Sequence, residues 1–175
     1  MSDLVIGRIG SVPEVVQRES VVITDLAQLA TLVPGQDALC PLSLWLAPQR
    51  AAMSAGKSAF VLLDAGDDVM VLKDSVDQLR GVAIRFTDFN DGRGYSNAVL
   101  LRQRLGFCGP LRAVGDVLRD QLFYLLRCGF DEFEPRPDRS IEEFLSGYRD
   151  FSAVYQQSAT STPLFRARLH EKVMP

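Results

Sequence analysis

The sequence predicts an α/β protein of about five βα units on a parallel sheet, either a partial (βα) barrel or an open, doubly wound sheet. Short, nearly continuous apolar runs such as Ala-Phe-Val-Leu-Leu at 59–63 and Gly-Val-Ala-Ile at 81–84 read as strands covered on both faces, as parallel strands are. Between such runs lie segments whose apolar residues recur at helical spacing and whose ends carry Asp, Ser or Gly. The 175 residues suit one domain with a real core, and fall short of the roughly 200 or more usual for a complete eightfold barrel.

The first two dozen residues contain Val-Val-Gln-Arg-Glu-Ser-Val-Val-Ile, extended structure with a polar break. Asp25 to Leu32 is a short amphipathic turn, closed by Val-Pro-Gly-Gln-Asp. Ala38 to Leu46 is the first buried strand, its first half made irregular by Pro41, and a short helix follows that ends at Gly56. Ala59 to Leu63 is the second strand, stopped by Asp-Ala-Gly-Asp-Asp. Leu72 to Leu79 reads as a helix with Leu72, Val76 and Leu79 on one face. Gly81 to Phe86 is the third strand. Ser96 is placed to cap the next helix, whose Ala98, Leu101 and Leu105 form the inward stripe and which Gly106 ends. Leu111 to Val114 is the fourth strand. Asp116 or Asp120 can cap the helix carrying Leu118, Leu122, Leu125 and Leu126, with Gly129 just past its end. Phe130 to Glu134 is the fifth strand, and a final helix from Ile141 sets Phe144, Leu145, Tyr148 and Phe151 on its apolar side. Residues 1–155 thus form a single domain, and 156–175 a loosely held C-terminal tail.

Hydrophobic residues make up 47% of the chain and the net charge is −3, which offers no basic surface to nucleic acid. No apolar run is long enough to span a bilayer, and the opening Met-Ser-Asp-Leu-Val-Ile-Gly-Arg lacks the regions of a signal peptide. A soluble cytoplasmic protein is expected. Cys40, Cys108 and Cys128 are scattered, with no Cys-x-x-Cys pair, so zinc, iron–sulfur and thioredoxin-type chemistries are poorly supported; no metal site is expected and the cofactor is unknown. The only histidine, His170, would have to fold back from the tail to serve a Ser-His-Asp or Cys-His mechanism.

Polar residues gather after the third and fourth predicted strands, at the edge where α/β folds bind ligands. The first loop holds Asp88, Asp91, Gly92, Arg93, Gly94, Tyr95 and Ser96. Gly92 and Gly94 allow close backbone approach or positive φ, while helix N–H groups and Arg93 suit a small anion such as phosphate, sulfate or carboxylate. The competing reading is purely architectural: Asp91-Gly92 turns the chain and Ser96 caps. In the second loop Asp116 is the catalytic candidate. It could act as general base, bind a metal with Asp88 or Asp91, pair with Arg93 or Arg112, or simply cap a helix. Gln121 lies one turn further on and lines the same opening or faces water. Arg85, inside an apolar strand, requires a solvated edge or an answering carboxylate. The loops match neither a Walker motif nor a dinucleotide fingerprint. Whether the protein is an enzyme is left open.

Phe-Asn-Asp-Gly-Arg-Gly-Tyr-Ser, Leu-Arg-Ala-Val-Gly-Asp-Val-Leu-Arg-Asp-Gln-Leu, Arg-Cys-Gly-Phe-Asp-Glu-Phe and the earlier Pro-Leu-Ser-Leu-Trp-Leu together resemble a bacterial domain-of-unknown-function family, over about Asp25 to Tyr155. The resemblance implies genes often placed beside the haemoprotein subunit of assimilatory sulfite or nitrite reductase, and hence a role in sulfur or nitrogen assimilation. Some members carry the label oxidoreductase, and no catalytic residue transfers. An accessory protein holding that haemoprotein or a small anionic ligand is expected first. An enzyme using Arg93 and Asp116 is expected second, and a homo-oligomeric scaffold third.

Overall fold

Seven strands close into a barrel: β1 (Ser2–Ile6), β2 (Glu14–Val22), β3 (Gln36–Pro41), β4 (Ala59–Leu63), β5 (Gly81–Phe86), β6 (Leu111–Gly115) and β7 (Glu132–Phe133). The structure, a computed structural model, describes residues 2–8, 11–48, 59–88 and 90–149. Strands β2 to β7 are parallel to their successive neighbours. Strand β1 is antiparallel to both β2 and β7, with Leu4 opposite Val16 and Val5 opposite Phe133. The fold class expected above is therefore corrected. The protein is a closed mixed barrel with few helices, not a parallel sheet of about five βα units. The expectation misses because the extended N-terminal stretch is a hairpin that supplies two more strands. Its first strand pairs with both free edges of the parallel set, which removes the exposed edges an open sheet would leave.

Strands buried on both faces lie where their apolar runs place them: β4 and β5 have the expected bounds, and β6 extends one residue to Gly115. The first buried run divides differently. Residues up to Pro41 are strand, and Leu42–Trp45 turn into helix α1. Proline has no N–H to continue the ladder and its restricted φ suits a helix entry, so it ends the strand. Residues Val69–Gln78 form 3₁₀ turns rather than an α-helix, started by the Asp68 carboxylate accepting from the Met70 N–H at 2.9 Å. Helix α2 (Arg93–Val99) continues into a π-helical turn at Leu100–Arg104, helix α3 spans Leu122–Cys128, and helix α4 spans Ile141–Ser146. Gly129 follows α3 with φ +101°, the left-handed stop that its position suggests. The helix expected to end at Gly56, Phe151 and the 156–175 tail lie outside the described residues.

Alternation along the strands sorts the core into two sets. Ala38, Cys40, Val61, Leu63, Ile84 and Phe86 point outward, into one cluster with Trp45, Leu72, Leu101, Leu122, Leu125 and Phe144 of the surrounding coat. Leu39, Phe60, Leu62, Ala83 and Val114 form the second, smaller cluster inside the barrel. The π-helical turn aims Arg102 at the strands' amino ends, where it donates to the carbonyls of Gly129 (2.9 Å), Phe107 (2.8 Å) and Gly109 (2.7 Å) and pairs with Asp131 at 3.2 Å.

Candidate functional site

The same alternation that puts Ala83 in the lumen puts Arg85 there, two residues on, at the carboxyl end of β5. Its Nη1 lies 3.3 Å from Oδ1 of Asp64, just past β4, so of the two settings expected for this arginine, a solvated edge or an answering carboxylate, it has part of each. The two side chains are 33% and 56% exposed, which makes the pair a loose one at the barrel mouth. Gly115 closes β6 beside it with φ +92°. A Cβ at Gly115 would lie 2.3 Å from the Phe86 carbonyl oxygen and 3.5 Å from Cγ of Arg85. Glycine is required here by both conformation and space. The turn it makes lets the Asp116 N–H donate to the Phe86 carbonyl at 2.7 Å.

The other residues singled out from the sequence have partners of their own. The Asp88 carboxylate accepts from the Asn90 N–H at 2.8 Å within its own turn. Asp91 accepts from both the backbone N–H of Arg93 (3.1 Å) and its guanidinium (2.7 Å), and these hydrogen bonds draw its carboxyl down to about 2. Arg93, expected to hold an anion, thus already holds Asp91. Neither glycine of this loop takes positive φ: Gly92 has φ −78°, and among the described residues the positive values belong to Gly35, Gly106, Gly115 and Gly129. Gly94 instead makes room for packing, since a Cβ there would lie 2.9 Å from the Phe86 ring. Tyr95 lies between Phe86 and Tyr124, at centroid distances of 5.0 and 4.8 Å, and burial pushes its phenol up to about 12. Ser96 does not cap, because α2 begins three residues earlier; it is exposed on the helix surface. Asp116 caps no helix either. Its Oδ1 receives Nη1 of Arg136 at 3.0 Å, and Arg136 also grips Asp138. The buried Gln121 accepts from the Leu118 N–H at 3.0 Å and so organises the turn that leads into α3.

The mouth therefore joins Asp64, Arg85, Gly115, Asp116 and Arg136 at the ends of four neighbouring strands. Arg93 stands beside the β4 loop, 3.8 Å from where a Gly66 Cβ would be. Asp64 and Arg136 went unnoticed as site residues in the sequence. The available signal for Arg136 is an arginine between two prolines, directly after the fifth predicted strand. On the same face, Asp120, Arg139, Ser140 and Glu143 border a cavity of about 240 Å³.

Arg112 points to the opposite end of the lumen, away from Asp116. It is 2% exposed, bonds Oδ2 of Asp37 and Oε2 of Glu132 at 2.8 Å each, reaches Ser20 Oγ at 3.1 Å and lies 4.2 Å over the Phe60 ring. Asp37 also meets Arg80 at 3.1 Å and Arg18 at 3.8 Å. Burial works to raise the Asp37 pKa, but the hydrogen bond and charge of Arg112, helped by Arg80 and Arg18, hold it below the usual carboxylate value. Glu132 goes the other way: burial pushes it up, and Arg112 offsets that only in part, with Asp131 and Asp37 adding to the rise. Cys40 and Cys128 are buried, and burial pushes the Cys128 thiol up to about 11. Among the described residues, no three His, Cys, Asp or Glu side chains are grouped to hold a metal ion. No helix among them is long and apolar enough to cross a membrane.

A family model described as "Bacterial protein of unknown function (DUF934)" matches residues 60–165, a span that includes both mouth loops and Arg136. No curated protein and no solved structure matches the chain.

Proposed function

We propose, on the premise that this chain belongs to the bacterial DUF934 family of unknown function, that it is an accessory protein of assimilatory sulfite reduction which binds a small oxyanion at the mouth of its barrel and serves the reductase haemoprotein. Arg85 carries the anion-binding part of this reading. A guanidinium has five N–H donors, and among the described residues this one makes a single 3.3 Å contact with a carboxylate that is itself half exposed. Exposed ion pairs contribute about 0–1 kcal/mol, so an oxyanion can displace Asp64 at little cost. Arg93 and Arg136 stand on the same rim, each already paired with aspartate, Asp91 for the first and Asp116 and Asp138 for the second. The sulfur context rests on the resemblance borne by Phe-Asn-Asp-Gly-Arg-Gly-Tyr-Ser and its companion segments.

The reading is tested by titrating sulfite, sulfate and phosphate into the protein by calorimetry and by co-purification with the haemoprotein. A charge-assisted hydrogen bond contributes about 1.5–3 kcal/mol, so Arg85→Ala is expected to weaken anion binding by about tenfold to a hundredfold. Absence of both anion binding and haemoprotein association removes the reading.

A further inference from the structure

Closure of the barrel leaves one stretch of strand edge open. Along Glu14–Arg18, β2 is paired with β1, from Ile6 opposite Glu14 to Ser2 opposite Arg18. On its other side β2 meets β3 only from Glu19 onward, where Glu19 lies beside Gln36. The Glu19 and Ile23 N–H groups donate to the Gly35 and Leu39 carbonyls at 3.0 Å each, so the odd-numbered residues of β2 direct their main-chain groups to the β3 side. By the same alternation Val15 and Gln17 direct theirs over the open edge, where no strand lies among the described residues. Glu14, Val15, Gln17 and Arg18 are all exposed, and Val12, just ahead of them, is 92% exposed. Natural sheet edges are blunted by lysine, proline or a bulge. Pro13, which has no N–H, ends this one, but Glu14-Val15-Val16-Gln17-Arg18 holds neither lysine nor proline and pairs with β1 in unbroken register.

We propose that this edge pairs antiparallel with the same edge of a second copy of the chain, about a twofold axis at Val16, so that the two β1–β2 hairpins join into one four-stranded sheet. The five residues complement themselves in that arrangement. Glu14 lies opposite Arg18 of the second copy, Val15 opposite Gln17, and Val16 opposite Val16. The two Val15–Gln17 pairs exchange their free main-chain groups, which makes four hydrogen bonds. On the other face the two Glu14–Arg18 pairs set opposite charges together on either side of the meeting valines. Any other register separates those charges. The Arg18 side chain, 43% exposed and 3.8 Å from Asp37, keeps room to reach Glu14 of the second copy. Pairing of five residues a side buries little area, so the association is weak, with a Kd of about 10–100 µM.

Sedimentation equilibrium of the full chain from about 1 to 500 µM is expected to show an average mass that rises from 19.4 kDa toward twice that value. Glu14→Arg sets like charges opposite one another at both ends of the contact and should raise the Kd at least about tenfold, and Glu14→Arg combined with Arg18→Glu should restore it. Gln17→Pro removes an N–H that lies on the open edge and should abolish the dimer with the circular dichroism of the barrel unchanged. The register is tested by cross-linking. Facing valines in a pair without hydrogen bonds have Cα atoms about 4.5 Å apart, within the reach of a disulfide. Cys40 and Cys128 are buried, so in a Cys108→Ser background Val16→Cys should form a covalent dimer on mild oxidation, and Val22→Cys, also exposed, should not. A wild type that stays monomeric at about 500 µM overturns the proposal, whether the edge is empty or covered by another partner. A dimer that neither Glu14→Arg nor Gln17→Pro weakens overturns it too, because the contact then lies on another face. So does cross-linking by Val22→Cys in preference to Val16→Cys, a comparison that stays decisive even where Gln17→Pro fails to fold.

Discussion

Replacing Arg112 by methionine keeps a long apolar stem against Phe60 and removes the guanidinium that joins β6 to β2, β3 and β7 across the lumen. The loss is unevenly shared. Asp37 keeps Arg80 at 3.1 Å and Arg18 at 3.8 Å, both partly exposed, whereas Glu132 loses its guanidinium partner. Breaking a buried ion pair by removing one partner costs about 3–5 kcal/mol. Glu132 already favours its protonated form more than an ordinary glutamate does, so it can discharge part of the strain by taking up a proton, and the lower end, about 3 kcal/mol, is expected. For a chain of this length each kcal/mol lowers Tm by about 2–4 °C, which gives a fall of about 6–12 °C. Urea denaturation followed by circular dichroism measures the free energy, and a thermal melt the shift. Adding Glu132→Leu to Arg112→Met removes the stranded carboxylate and should restore most of the loss. A cost below about 1 kcal/mol for the single variant, or a double variant less stable than the single one, would refute a buried network held by Arg112.

Other outcomes follow from the same contacts. A glutamate whose folded pKa is raised above about 4.3 stabilises the protein most below that value and loses the contribution as pH rises through the folded pKa. Wild type should therefore lose stability relative to Glu132→Gln as pH rises from about 4.3 in a denaturation series; a gain over that rise contradicts the assignment. Asp37 has the opposite sign: its lowered pKa makes a contribution that is present at neutral pH and lost on acidification, so the cost of Asp37→Asn should shrink as pH falls below about 4. Gly115→Ala should destabilise by about 2–4 kcal/mol, because positive φ and the contact with the Phe86 carbonyl act together; an unchanged melt would show that the strand junction relaxes freely. If the mouth is catalytic through Asp116, Asp116→Asn should fail to complement a deletion strain on sulfite while folding normally, and full complementation would remove that role.

Strands β4 and β5 are legible residue by residue, because a strand covered on both faces must be apolar throughout and its neighbours in sequence show where that ends. The stop at Gly129 is legible for a similar reason, since a left-handed position after a helix has a local chemical signature. The Asp88–Ser96 loop is correctly seen as polar, yet its arginine turns to Asp91, two residues away, and its glycine at 94 serves the Phe86 ring. A turn built for packing uses the same residues as one built for an anion. Arg85 is the reverse case: its misfit in an apolar strand can be read, but the lumen it faces cannot.

By itself, then, the sequence determines that β4 and β5 are strands buried on both faces, that a helix stops at Gly129, and that Arg85 needs a solvated edge or a carboxylate. Those properties depend on residues a few positions apart. Only the tertiary structure decides that the N-terminal hairpin closes the ring, and that Arg112 meets Asp37 from 75 positions away, Ser20 from 92 and Glu132 from 20. Period-2 burial is the same in an open sheet and a closed one, and a charge chooses its partner by distance in space, which separation along the chain does not encode.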